Sequence, residues 1–163
     1  MRLPLHIRPL TIAYAERICT WRYPAPYDIF NFDDWPNMVV QQTEFGDPDL
    51  RKNQYASIID TNEELVGYVQ YFPLIGVTRL GLGMRPDLCG FGYGPAFVHA
   101  IVQEAKRREP LNEIDLEVLD WNSRAISTYL KSGFVWSDTY ERLTPSGFKT
   151  FHCMVYHGEV VLL

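Results

Sequence analysis

The sequence predicts an α/β fold in which a central mixed sheet, mostly antiparallel, carries helices on both faces. A strand–helix–strand passage over residues 77–119 requires a parallel crossover, whereas strands joined by tight turns pair as antiparallel hairpins. The chain has 163 residues and 47% of them are apolar, which suits one sizeable core. We therefore expect a single domain over residues 1–163.

The first part of the chain begins with a short strand and a helix. Residues 5–11 are predicted to form the strand, and residues 11–21 carry apolar side chains at helical spacing. Residues 23–38 are rich in proline and aromatic residues, so we expect a loop there with at most a short helix.

A run of strands interrupted by two helices follows. Residues 55–60 and 65–72 are predicted to form a hairpin around a Thr-Asn-Glu-Glu turn, and residues 77–84 add a third strand. The next predicted elements are a helix at 95–108, a strand at 112–119, a helix at 123–132, and strands at 134–143 and 148–157 around a Thr-Pro-Ser-Gly turn.

The composition and charge of the chain argue against several classes of function. The net charge of −5 argues against nucleic-acid binding and is compatible with a cationic partner. No stretch reaches the roughly 18 apolar residues of a membrane span, and the start resembles no secretory signal. The three cysteines are isolated, which predicts a reducing cytoplasm. The histidines do not pair with cysteines at zinc spacing, so we expect no metal.

A glycine-rich segment separates the predicted strand at 77–84 from the helix at 95–108. Residues 89–94 read CGFGYG, and Pro95 follows at the first helical position. Amides at a helix N-terminus point outward without partners, and glycines let a backbone approach an anion closely. The segment fits neither the Walker nor the Rossmann pattern. It predicts a phosphate cradle, with an ordinary turn as the alternative.

Two segments of the chain resemble the GNAT N-acetyltransferases. MRPDLCGFGYGPAFVHAIVQEA, residues 84–105, looks like their acyl-CoA-binding segment, although Cys89 stands where Arg or Gln is usual. LEVLDWNSRAISTYLKSGF, residues 116–134, is similar to their strand–Asn–helix segment. Together they cover roughly residues 77–135. The resemblance implies the GNAT acyltransferase fold and the use of acetyl-CoA, with CoA as product.

The same resemblance implies the residues that bind the cofactor. The pyrophosphate is assigned to the glycine loop, the pantetheine arm to the backbone at the end of the preceding strand, and a further pantetheine contact to Asn122. A helix N-cap is an equal alternative for Asn122, and a β-bulge is an alternative reason for glycine at residues 81 and 83. The full predicted set is Leu82, Gly83, Met84, Gly90, Phe91, Gly92, Tyr93, Gly94 and Asn122.

Glu117 and Tyr129 are the implied catalytic pair. Their spacing resembles the ribosomal-protein N-terminal acetyltransferases, in which the Glu is the general base and the Tyr donates to the leaving thiolate. A carboxylate on a strand flanked by helices needs a partner or a role. The alternatives are a salt-bridged Glu117, Asp115 or a water chain as base, and a core position for Tyr129. The backbone N–H near Met84 is the implied oxyanion donor.

The acceptor site is implied for the aromatic and acidic segment that contains residues 21–35. Tyr27, Phe30 and Trp35 are the predicted substrate-binding residues, with aromatic packing onto the core as the alternative. The expected reaction is direct acetyl transfer, in a ternary complex, to a primary amine of a small molecule, peptide or protein. The alternative is a non-catalytic acyl-CoA-binding regulatory module. Homodimers are frequent among such proteins.

Overall fold

The computed structural model describes residues 1–158, and in them seven strands form one mixed sheet accompanied by five α-helices. The elements are β1 (His6–Pro9), α1 (Ile12–Cys19), α2 (Trp35–Gln41), α3 (Pro48–Gln54), β2 (Tyr55–Ile59), β3 (Leu65–Leu74), β4 (Val77–Met84), α4 (Gly94–Arg108), β5 (Glu113–Leu119), α5 (Ser123–Lys131), β6 (Phe134–Thr144) and β7 (Gly147–Tyr156). The predicted fold class is confirmed.

The strands follow the order β1-β2-β3-β4-β5-β7-β6 in the sheet. The pairs β1–β2, β2–β3, β5–β7 and β6–β7 are antiparallel, whereas β4 and β5 are parallel. Their parallel register runs from Val77 opposite Glu113 to Leu80 opposite Leu116. As predicted, a helix, α4, supplies the crossover that a parallel connection requires.

The described chain divides into two compact units. Unit 1 contains Met1–Gln70 and Leu82–Tyr93, and unit 2 contains Tyr71–Gly81 and the chain from Gly94 onward. The expectation of a single domain over residues 1–163 stays a prediction.

Unit 1 has an aromatic core built around Phe45, which is fully buried. The ring of Phe45 packs edge-on against Phe32 at 4.7 Å and against Tyr55 at 5.5 Å, and stacks on Trp35 at 6.4 Å. Such ring pairs stabilise a core beyond the apolar area that they bury.

Unit 1 contains two short helices, of which one was not predicted. The segment predicted as a loop with at most a short helix contains the start of α2, in agreement with that expectation, whereas α3 was not predicted. Both are seven residues long, with prolines in the first turn and an aspartate before it. Asp34 accepts from the Asn37 amide at 2.9 Å, and Asp47 caps α3 in the same way. Pro36, one of the prolines that indicated a loop, lies in the first turn of α2, and Pro48 begins α3.

Unit 2 packs α4 against its own strands. Phe97 and Ile101 of α4 are buried, as are Leu116 of β5 and Phe134 of β6. The hydroxyl of Tyr71 also donates to the Ile101 carbonyl at 3.3 Å.

Candidate active site

The glycine loop has the backbone geometry that only glycine adopts readily. Gly90 and Gly92 have φ of +85° and +81°, in the left-handed region. A Cβ at either position would have no atom within 4 Å, so the space beside the backbone is open. Phe91 between them is 71% exposed. This stretch of nearly bare backbone leads directly into α4, as an anion cradle requires.

Gly94, the first residue of α4, is glycine for a different reason. A Cβ there would lie 2.6 Å from Cγ2 of Thr128 on α5 and 3.0 Å from its Oγ1. The close approach of α4 to α5 therefore excludes a side chain at this position. Packing alone accounts for this member of the predicted cofactor-binding set.

Cys89, which replaces the usual Arg or Gln of the motif, is turned back onto its own loop. Its sulfur lies 3.8 Å from the carbonyl oxygen of Met84 and 3.7 Å from that of Arg85. The turn before it is held by Arg85, whose Nε donates to Asp87 Oδ1 at 2.6 Å. This hydrogen bond holds the pKa of Asp87 below its ordinary value.

The end of β4 is fixed by two tyrosines of unit 1. A Cβ at Gly83 would lie 2.7 Å from Cζ and from the hydroxyl of Tyr68, so the tyrosine ring occupies the space that a side chain would need. The hydroxyl of Tyr23 donates to the Met84 carbonyl at 2.6 Å. The glycine at 83 thus has a packing reason apart from any approach of a cofactor.

Asn122 and Tyr129 lie at the two ends of α5. Asn122 is buried, and its side chain accepts from the Ala125 amide at 3.2 Å, which makes it the N-cap. Tyr129 packs at a tilt against Phe134, with ring centroids 5.9 Å apart. Burial raises the pKa of Tyr129 to about 12. The N-cap role of Asn122 is therefore established, with a pantetheine contact left as a proposal.

The carboxylates of Asp115 and Glu117 share one face of β5, as predicted from the alternation of the strand. Arg79 of β4 binds both: Nε and Nη2 lie 3.0 and 2.8 Å from the two oxygens of Asp115, and Nη1 lies 2.8 Å from Oε1 of Glu117. The side chains of Asp115 and Glu117 are 7% and 14% exposed. The arginine provides the partner that buried carboxylates need.

A second arginine approaches Glu117 from β6. Oε2 of Glu117 is inaccessible to solvent and lies 3.2 Å from Nε of Arg142, whose guanidinium also lies over the Phe151 ring at 4.4 Å. Burial, together with the nearby Glu117 carboxylate, raises the pKa of Tyr140 to about 12. Glu117 therefore lies between two arginines, Arg79 and Arg142, as expected for the alternative in which it is a salt-bridged residue.

The predicted acceptor residues separate into two environments. Tyr27 and Phe30 lie on a 3-10 turn, Tyr27–Phe30, where Tyr27 is partly buried and Phe30 is exposed. Trp35 is instead partly buried and packs against the core of unit 1, and Arg51 lies over its ring at 5.5 Å. Packing onto the core, the alternative weighed for this segment, applies to Trp35.

The sequence analysis did not identify three residues that bind the predicted site residues: Arg79 and Arg142, which bind Glu117, and Tyr23, which binds Met84. Arg79 had a usable signal, because it stands between Thr78 and Leu80, which are buried, and so points to the opposite face of β4. Arg142 and Tyr23 had none, since each meets its partner through the register of the sheet or the path of a loop.

The sequence also matches a family model over most of its length. Residues 15–134 match the model described as the acetyltransferase (GNAT) family. The chain belongs to the GNAT family. As a member, it is an acetyl-CoA-dependent acyltransferase. Among curated protein sequences, none gives a significant match to this chain.

Solved structures with the same GNAT fold include spermidine N-acetyltransferases from Vibrio cholerae. A chimera of SpeG from this organism and hSSAT has a TM-score of 0.72 at 15% identity, covering 93% of this chain and 94% of the other. The V. cholerae enzyme in complex with CoA and spermine has a TM-score of 0.68 at 13% identity, with coverage of 93% and 94%. At such identities the likeness establishes the fold.

Within residues 1–158, no group of three or more His, Cys, Asp or Glu side chains could hold a metal ion. In the same part of the chain, each helix is too short or too polar to cross a membrane.

Proposed function

We propose that the protein transfers the acetyl group of acetyl-CoA to a primary amine by direct attack in a ternary complex. The observation that carries this proposal is the glycine loop, in which Gly90 and Gly92 keep open space beside the backbone just before α4. An anionic pyrophosphate fits there, because backbone amides and the helix dipole both favour negative charge. The family assignment supports the same ligand.

The remaining contacts to acetyl-CoA follow from the resemblance. The loop Gly90–Gly94, including Phe91 and Tyr93, would hold the pyrophosphate, and the backbone of Leu82, Gly83 and Met84 would pair with the pantetheine arm. When bound, acetyl-CoA supplies an activated acyl carbon as a thioester. The amide of Met84 is the proposed donor to the thioester oxygen, where negative charge develops during attack.

Tyr129 is proposed to stabilise the departing thiolate. The new bond joins the amine nitrogen to the acyl carbon, the carbon–sulfur bond breaks, and the sulfur leaves with its electron pair. With a pKa raised to about 12, the phenol is a weaker acid than a thiol of ordinary pKa, about 8.5. Donation of a hydrogen bond therefore suits Tyr129 better than complete transfer of its proton.

The base that receives the amine proton is proposed to be Glu117, in keeping with the resemblance to ribosomal-protein N-terminal acetyltransferases. Arg79 and Arg142 both form ion pairs with this carboxylate, so a base role competes with those pairs. Asp115 is bound even more fully by Arg79. A chain of water molecules is the remaining route.

The acceptor is proposed to be a cationic small-molecule or peptide amine. Phe30 and the side chain of Asp28 are exposed on the turn Tyr27–Phe30, and an aromatic surface beside a carboxylate suits an ammonium group. Trp35, which packs against the core of unit 1, would complete the proposed set of substrate-binding residues. The structural neighbour with spermine makes polyamines a sensible part of any acceptor panel. A neighbour described as dodecameric likewise supports testing for self-association, with a homodimer as the simplest case.

Thiol release from acetyl-CoA, measured over a panel of amines, tests the proposal. The panel should contain α-amino peptides, lysine peptides, polyamines and aminoglycosides, with CoA affinity measured in parallel by calorimetry. Amine-dependent thiol release with a matching acetylated product is the expected result. Tight binding of CoA without turnover on every amine would instead favour the regulatory module.

A further inference from the structure

The end of β4 is tied to the segment after α1 by a hydrogen bond from Tyr23. The Tyr23 hydroxyl donates to the carbonyl oxygen of Met84 at 2.6 Å, across 61 positions of sequence. At the next residue, the Arg85 N–H donates to the Val66 carbonyl at 2.9 Å. Both polar groups of the peptide unit that joins Met84 to Arg85 are therefore held.

These two hydrogen bonds determine the direction of the Met84 amide. In an extended strand, the N–H and C=O of one residue point to the same side, and those of the next residue point to the other. The Arg85 N–H faces Val66 on β3, so the N–H and C=O of Met84 face away from β3, toward the side where Tyr23 lies.

Tyr23 is itself held in place within unit 1. Its backbone N–H donates to Oδ1 of Asn31 at 2.8 Å, which closes the loop around it. The neighbouring Phe32 packs edge-on against Tyr68 at 5.3 Å, and Tyr68 occupies the space beside Gly83. The segment that contains Tyr23 is thus in contact with the end of β4 at two places, through Tyr23 at Met84 and through Phe32 and Tyr68 at Gly83.

We propose that Tyr23 is a positioning residue for acetyl transfer, which holds the Met84 carbonyl and thereby aims the Met84 amide at the thioester oxygen. The inference rests on the proposed function, in which this amide stabilises the developing oxyanion. Because Tyr23 acts through Met84 and not on the amine, loss of its hydroxyl should lower kcat and leave the KM for the amine unchanged. A tyrosine that instead contacted the amine would alter the KM for the amine.

The kinetic test compares Tyr23→Phe with Tyr14→Phe, which removes a hydroxyl from α1 of the same unit. The Tyr23 variant should lose about tenfold in kcat, the scale of one hydrogen bond, while the KM for the amine stays at its parental level. The Tyr14 variant should match the parent protein. An unchanged kcat, or a rise confined to the amine KM, would overturn the inference.

A spectroscopic test needs no turnover. The chain has four methionines, so labelling methionine with ¹⁵N and ¹³C at the carbonyl limits the labelled carbonyls to those of Met1, Met38, Met84 and Met154. In free protein, Tyr23→Phe should move the Met84 carbonyl signal and leave the others in place. The Met84 amide should shift more with acetyl-CoA than with CoA, and this difference should shrink in the variant.

The outcomes separate this inference from the proposed function. An unmoved Met84 carbonyl in Tyr23→Phe would refute the positioning role whatever the activity. Equal acetyl-CoA-dependent shifts in variant and parent would refute it as well. A parent protein that binds CoA yet acetylates no amine would instead refute the proposed function.

Discussion

Arg79 binds Glu117 with Nη1 lying 2.8 Å from Oε1, and the same guanidinium forms a two-point ion pair with Asp115. One side chain of β4 thus orients two carboxylates of β5. Arg79 and Asp115 are opposite each other in the parallel register, so the arrangement follows from strand pairing. The ion pair between Arg79 and Glu117 limits how Glu117 can act as the proposed base, because its carboxylate must accept a proton while it remains beside a cation.

Replacing Glu117 with Gln tests the base directly. If Glu117 takes the amine proton, kcat should fall by roughly 10²–10⁴-fold, the usual range for a general base, with little change in the KM for acetyl-CoA. Asp115→Asn on the same face is the matched control and should stay active. Loss of activity only in Asp115→Asn would move the base to Asp115, and full activity in both would leave water as the acceptor.

Replacing Arg79 with Met should destabilise unit 2. The change leaves the largely buried carboxylate of Asp115 without its two-point partner, at a cost of about 3 kcal/mol in the free energy of unfolding. Arg107→Ala is the control, since the Arg107 side chain is exposed and its ion pair with Glu104 should contribute much less to stability. Urea denaturation measures both. Similar small losses in the two variants would contradict the structural importance of the Arg79 pairs.

Replacing Gly92 with Asp should abolish protection of the protein by CoA. Saturation at a hundredfold excess over Kd should stabilise the parent protein by about 2.7 kcal/mol. The variant places a charged side chain in the open space beside the loop and strains a backbone with φ of +81°. Gly76→Asp, at another glycine with positive φ, controls for strain alone. Thermal unfolding with and without CoA is the measurement, and parental protection in Gly92→Asp would mean that the cradle lies elsewhere.

Replacing Tyr129 with Phe should slow departure of the thiolate without weakening CoA binding. Burial raises the pKa of Tyr129 to about 12, so the phenol keeps its proton and can donate throughout the range from about pH 7 to 10. The ratio of parental to variant kcat should therefore be constant over that range. A ratio that collapsed near pH 10 would indicate an ordinary, solvent-exposed phenol.

The same shift predicts a pH effect on stability. The folded protein holds the Tyr129 proton more tightly than the unfolded chain, whose phenol has a pKa of about 10. This contribution is complete below about pH 10 and is lost as the pH rises through about 12. When the free energy of unfolding is measured by urea denaturation at several pH values between about 10 and 12, it should fall less steeply with pH in Tyr129→Phe than in the parent protein.

Replacing Gly94 with Ala should destabilise the contact between α4 and α5. The new methyl group would lie 2.6 Å from Cγ2 of Thr128, and overpacking of this kind costs about 1–3 kcal/mol. Thr128→Ala should relieve the clash, so the double variant should be more stable than the two single losses predict. Strict additivity in urea denaturation would show that the two residues do not collide.

The glycine loop and the order of elements were predictable because local chemistry specifies them. Glycines before a proline-led helix indicate an exposed backbone, and a helix between two strands requires parallel pairing of β4 with β5. The helix α3 was missed, and only a short helix was allowed for where α2 begins, because aspartate caps and first-turn prolines are also the residues of loops.

By itself, the sequence determined the fold class, the family and the position of the loop, since periodicity, turn residues and motif spacing are all local properties of the chain. The tertiary structure decided how the candidate residues are held. Arg79 reaches Glu117 only through the register of β4 and β5, and Tyr23 reaches Met84 only through the path of a loop across 61 positions. Such partners are separated in sequence, and no local pattern encodes a distance that arises when strands pair and loops close.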